Sequence, residues 1–83
     1  MIDIGSDDAR EPIGARIRRL RQDRGLAQDR LAIEANVDQS GLSKLERGKA
    51  GHMGPTPLRR IAAVLGLSLK ELLHGTDLDA RQD

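Results

Sequence analysis

The side chains in this 83-residue chain that could do covalent or metal chemistry are few. Ser40 and Ser43 carry hydroxyls, but a serine nucleophile needs a base held beside it, and no His or Lys is set there by its spacing. His52 and His74 stand 22 residues apart with no cysteine and no nearby cluster of acids, which is not a metal-ligand pattern. Asp7-Asp8 and Asp77 with Asp79 supply paired carboxylates, yet they fall in segments expected to be tails, where an acid–base site cannot be held in register. Without cysteine there is no disulfide, thiolate metal site or thiol nucleophile. Without Phe, Trp or Tyr there is no stacking platform for single-stranded nucleic acid. No catalytic constellation, metal site or cofactor site is expected. What remains is hydrogen-bonding and cationic side chains: Gln28, Gln39, Ser40, Ser43, Lys44, Arg47 and Lys49, all within 22 residues.

Those side chains need elements to hold them. The apolar residues are nearly all Leu, Ile, Val and Ala at helical spacing, with no period-two run, so the fold class is all-α. Five short helices are expected. The first covers about 12–24, with Pro12 in its first turn, Ile13, Ile17 and Leu20 on one face, and Gly25 as its stop. The second covers about 28–35 and ends at Asn36, a residue that tolerates the left-handed conformation. Asp38 caps a third over about 39–47. Thr56 and Pro57 read as N-cap and first residue of a fourth that closes at Gly66. Ser68 and Glu71 form a capping box for a fifth over about 69–73.

The stretch 28–45 has a tighter geometry than a generic helical hairpin. Leu31, Ala35, Val37, Leu42 and Leu45 are the apolar positions of two short helices joined by a three-residue turn. Ala32 is small where the helices cross, and Asn36 sits where the turn needs a positive φ.

On these residues the chain resembles the Cro/phage-repressor, or XRE-type, helix-turn-helix domain. The resemblance rests on Ile17-Arg-Arg-Leu-Arg21 before Gly25-Leu26, Gln28 with Leu31-Ala32, and Leu42-Ser-Lys-Leu-Glu-Arg-Gly-Lys49. It continues through Leu58-Arg-Arg-Ile-Ala-Ala-Val-Leu-Gly66 and Ser68-Leu-Lys-Glu-Leu-Leu73. It implies a five-helix lambda-repressor-like domain that binds double-stranded DNA as a homodimer, with the third helix in the major groove. Carried over by position, Gln39, Ser40 and Lys44 would face bases, Gln suiting adenine and Lys guanine. Gln28, Ser43, Arg47 and Lys49 would hold phosphates. Arg21 would pair with Glu46 inside the domain. Three departures stand out: Ala27 replaces a capping Ser or Thr, Gly41 lies inside the recognition helix, and the loop 50–55 is long.

Leu69, Leu72 and Leu73 exceed what one inward stripe of so short a helix requires, so they are dimer-interface candidates, and Ile33 is a second apolar residue hard to bury. The expected organisation is an acidic N-terminal tail at 1–9, the DNA-binding domain at 10–75 and a C-terminal tail at 76–83. The net charge of +1 conceals an asymmetry: residues 10–60 hold twelve Lys/Arg against six Asp/Glu. The reading is a cytoplasmic transcriptional regulator, a repressor in type. No membrane-spanning run and no secretory leader pattern is present. The rival reading keeps the fold but uses it as a protein-interaction module, or as an antitoxin-type protein bound to a toxin or another regulator.

Overall fold

The structure is a computed structural model, and it describes residues 10–49 and 53–79. Five helices follow in order: α1 (Ile13–Asp23), α2 (Gln28–Ala35), α3 (Gln39–Glu46), α4 (Pro55–Val64) and α5 (Leu69–Leu73). No strand occurs among the described residues apart from one isolated parallel bridge between Glu11 and Thr76.

Local chemistry accounts for most of the helix ends. Asn36 takes the left-handed conformation (φ 55°) and turns the chain between α2 and α3. The Asp38 carboxylate accepts a hydrogen bond from the Gly41 N–H at 2.8 Å, starting α3. The capping box of α5 is complete: Ser68 Oγ accepts from the Glu71 N–H (3.0 Å), and Glu71 accepts from the Ser68 N–H (2.8 Å). α4 starts two residues earlier than its sequence suggested. Gly54 is the N-cap and Pro55 the first helical residue, because a proline loses no helical hydrogen bond there.

One core joins all five helices. Ile17, Leu31, Leu42, Ile61 and Leu72 are fully buried, with Ala32, Ala35 and Ala62 filling the close crossings. The tightest crossing is one the sequence did not flag. Gly14 on α1 lies directly against the Leu45 backbone of α3, and a Cβ there would collide with the Leu45 carbonyl and come within 3.0 Å of Glu46 Cα. α1 thus fixes the height at which α3 stands.

The expected tail at 76–83 is ordered at its start. Thr76 is fully buried, its hydroxyl donating to the Leu73 carbonyl and accepting from the Leu78 N–H. The Glu11 N–H donates to the Gly75 carbonyl, and the Asp77 N–H to the Glu11 carbonyl. Asp77 Oδ1 accepts from the Ile13 N–H at 3.0 Å, so it caps the first turn of α1 from 64 residues away. The domain boundary therefore moves from 75 to at least 79, because these residues tie the two chain ends together. The expected tail at 1–9, His52, the pair Asp7-Asp8 and most of the loop after α3 lie outside the described residues.

Candidate nucleic-acid interface

α3 buries Leu42, Leu45 and Glu46 and turns the rest of its surface outward. Gln39, Ser40 and Lys44 are exposed, and none has a side-chain hydrogen bond or ion pair among the described residues. They sit on the first two turns of a helix held at its start by Asp38 and along its length by the Gly14 crossing. Gly41 lies between them on the same helix. A Cβ there would meet Asp38 Oδ2 at 3.4 Å, Asp38 Cβ at 3.8 Å and Met53 Cε at 3.9 Å, ordinary contacts, so the fold does not require a glycine there.

Behind α3 lies a rigid polar support. Arg21 donates from Nε and Nη2 to the two oxygens of Glu46, each at 2.9 Å, and from Nη1 to the Leu26 carbonyl at 2.8 Å. The side chains of Arg21 and Glu46 are 12% and 2% exposed, so this bidentate pair is largely shielded from water. Hydrogen bonding to Glu46 raises the Arg21 guanidinium above its already high ordinary value, while burial works in the opposite direction. Gln28 Nε2 donates to Glu46 Oε1 at 3.1 Å. The sequence suggested Gln28 as a phosphate ligand; its side chain is instead partly committed to the ion pair, which leaves one amide proton available. α2 starts at Ala27 without a side-chain cap, so its first N–H groups are open to an outside acceptor.

Arg47 and Lys49 are exposed just past α3, and Ser43 is half-buried. Arg47 Nε donates to the Ser43 carbonyl at 3.3 Å. An open cleft between α1, the start of α2 and the end of α3 is lined by Arg18, Arg21, Gln28, Glu46 and Arg47.

The other arginines of α1 serve the fold. Arg16 donates to the Leu72 carbonyl (2.7 Å) and the Glu71 carbonyl (3.0 Å), closing the end of α5. Arg19 pairs with Glu11 at 2.7 Å. Arg24 donates to the Leu65 and Leu20 carbonyls at the ends of α4 and α1. These jobs bridge residues up to 56 apart in sequence, so helix periodicity could not reveal them.

Of the three dimer-interface candidates, Leu72 is corrected outright: it is fully buried inside the chain and has no surface left for a second copy. Leu69 and Leu73 pack against the core yet keep part of their surface. Ile33 is 68% exposed. His74 is exposed, and no group of three or more potential metal ligands occurs among the described residues. No helix among them is long and apolar enough to cross a membrane.

Comparison with known proteins gives a consistent picture. A family described as "Helix-turn-helix domain" matches residues 12–75. The uncharacterized HTH-type transcriptional regulator y4dJ of Sinorhizobium fredii is 37% identical over 70 residues, covering 84% of this chain and 90% of that protein. The HTH-type transcriptional repressor RghR of Bacillus subtilis is 31% identical over 64 residues. The chain spans about half the length of RghR and of its relative RghRB (47% and 45%). Among solved structures, the master regulator for biofilm formation SinR in complex with DNA superposes with a TM-score of 0.69 at 36% identity, covering 74% of this chain and 97% of that one. A complex of SinR protein with SinI protein gives 0.70 at 35% identity, covering 75% and 60%. The DNA-binding domain of the P22 C2 repressor gives 0.70 at 26% identity, covering 89% and 95%.

Proposed function

Because the chain belongs to the helix-turn-helix domain family and has the lambda-repressor-like fold, we propose that it is a sequence-specific duplex-DNA-binding regulator, a repressor acting as a homodimer with α3 in the major groove. The observation that carries this reading is the outer face of α3. Gln39, Ser40 and Lys44 are exposed donors and acceptors with no partner among the described residues, on a helix whose position is fixed from behind. A major-groove reader needs hydrogen-bonding side chains presented on a rigid helix. Gln39 and Lys44 then read base edges, with Ser40 beside them. Ser43, Arg47, Lys49 and the remaining amide proton of Gln28 engage the backbone, and the uncapped N–H groups of α2 donate to a phosphate oxygen. The known SinR–DNA complex supports the same use of a similar domain.

Binding curves over a range of salt test this. Lys44→Ala weakens specific binding by about 1–3 kcal/mol and relaxes one base position. Arg47→Ala and Lys49→Ala weaken binding to all duplexes alike and flatten the salt dependence. A wild-type chain with no duplex affinity at low salt, or with affinity indifferent to all three changes, contradicts the proposal. In that case the fold acts as a protein-interaction module; the SinR–SinI complex is a precedent for a protein partner on a similar chain.

A further inference from the structure

Residues 10–24 contain six arginines, and five of them are tied to the fold. Arg10 donates to the Asp79 carbonyl; Arg16, Arg19, Arg21 and Arg24 have the partners given above. Arg18 is exposed and is the one of the six with no partner among the described residues. It is also the α1 side chain that, with Arg21, lines the cleft running to Arg47.

The charges in that cleft are unbalanced. Glu46 is the only acid among the described residues that line it, and both of its oxygens are occupied: Oε2 accepts from Arg21 Nε, and Oε1 accepts from Arg21 Nη2 and Gln28 Nε2. Arg21 and Glu46 cancel each other as the buried floor. Arg18 and Arg47 remain as two guanidiniums with no acidic partner among the described residues, lining the same cleft, one from α1 and one from the end of α3. Among the described residues Arg47 uses only Nε, so its terminal N–H groups have no partner there. Two forked cations lining a shared space, with no free carboxylate among the described lining residues to repel an anion, suit a tetrahedral oxyanion.

We propose that Arg18 and Arg47 clamp one and the same backbone phosphate of duplex DNA across this cleft. Arg18 thereby becomes a DNA-contacting residue outside the helix-turn-helix unit itself. The proposal rests on the DNA-binding reading above and adds α1 to the interface. Its consequence is geometric. A phosphate held between α1 and α3 locks the DNA backbone to both helices and fixes the angle at which α3 enters the groove.

A double-mutant cycle with a short mixed-sequence duplex tests it. Each phosphate neutralised contributes about −0.9 to the slope of log affinity against log salt. Arg18→Ala is expected to weaken binding about threefold or more at moderate salt, and Arg18→Lys to restore most of that loss. The double variant Arg18→Ala/Arg47→Ala is expected to flatten the slope by about one in total, because one phosphate is lost. A flattening of about two means separate phosphates and overturns the shared clamp. Unchanged affinity for Arg18→Ala, with Lys49→Ala still weakening binding, overturns the role of Arg18 while leaving the DNA reading intact. Inorganic phosphate is the control for a free anion: millimolar phosphate that shifts the Arg18 side-chain NMR signal as strongly as the duplex does overturns the assignment to DNA. Absence of duplex binding by the wild type defeats the DNA reading itself, and the clamp with it.

Discussion

At Glu46, one carboxylate accepts three hydrogen bonds from Arg21 and Gln28 while its side chain is 2% exposed. Removing either charged partner strands the other in a water-poor site. Glu46→Ala is therefore expected to lower unfolding stability by about 3 kcal/mol, read from urea denaturation. Replacing both residues with apolar ones of similar size, Arg21→Met with Glu46→Leu, recovers most of that loss, since no charge is left unpaired. A Glu46→Ala loss below about 1 kcal/mol would show that water compensates the pair. At this scale the sequence was readable where a local motif set a residue's partner, as at Asn36, Asp38 and Ser68. The Arg21–Glu46 pair came from the family resemblance. The Glu71 and Leu72 carbonyls at the end of α5 that Arg16 closes and the Leu65 carbonyl that Arg24 reaches lie on distant helices, which leave no mark in the sequence near those arginines.

Two features at the scale of elements decide how α3 is presented. Gly14 lets α1 reach the Leu45 backbone, and Asp77 caps α1 from the far end of the domain. Gly14→Ala forces α1 and α3 apart and is expected to cost about 1–3 kcal/mol, visible as a lower thermal midpoint together with weaker duplex binding. A variant of unchanged stability would mean that the crossing can relax. Asp77→Ala removes the cap and is expected to cost about 1 kcal/mol. Its duplex affinity should be unaffected at temperatures where the chain stays folded, because the clip lies at the α5 end of α1. Helix identities were legible from apolar spacing, the end of α2 from Asn36 and the start of α5 from its capping box. The start of α4 was not: two prolines within three residues offered two possible first positions, and the chain uses the earlier one. Nor was the clip at 75–79 legible, since a cap supplied from 64 residues away has no local signature.

For the molecule as a whole, nine of the twelve Lys/Arg that stand against six Asp/Glu over residues 10–60 fall into two groups. Arg10, Arg16, Arg19, Arg21 and Arg24 hold the fold together, while Arg18, Lys44, Arg47 and Lys49 are left for the proposed DNA face; of the other three, Arg30 pairs with Glu34 along α2. The proposed homodimer uses the α5 end, where Leu69 and Leu73 retain surface and Leu72 does not. Leu69→Asp is expected to give a folded monomer by sedimentation, whereas Leu72→Asp, placed in the core, is expected to unfold the chain. A Leu69→Asp protein that still sediments as a dimer moves the interface elsewhere. The central claim is sequence-specific reading of duplex DNA by two copies of α3, and selection of bound duplexes from a random pool tests it most directly. The account predicts a two-fold symmetric consensus with half-sites about 34 Å apart, one turn of the double helix. A pool that remains random after repeated selection would contradict it.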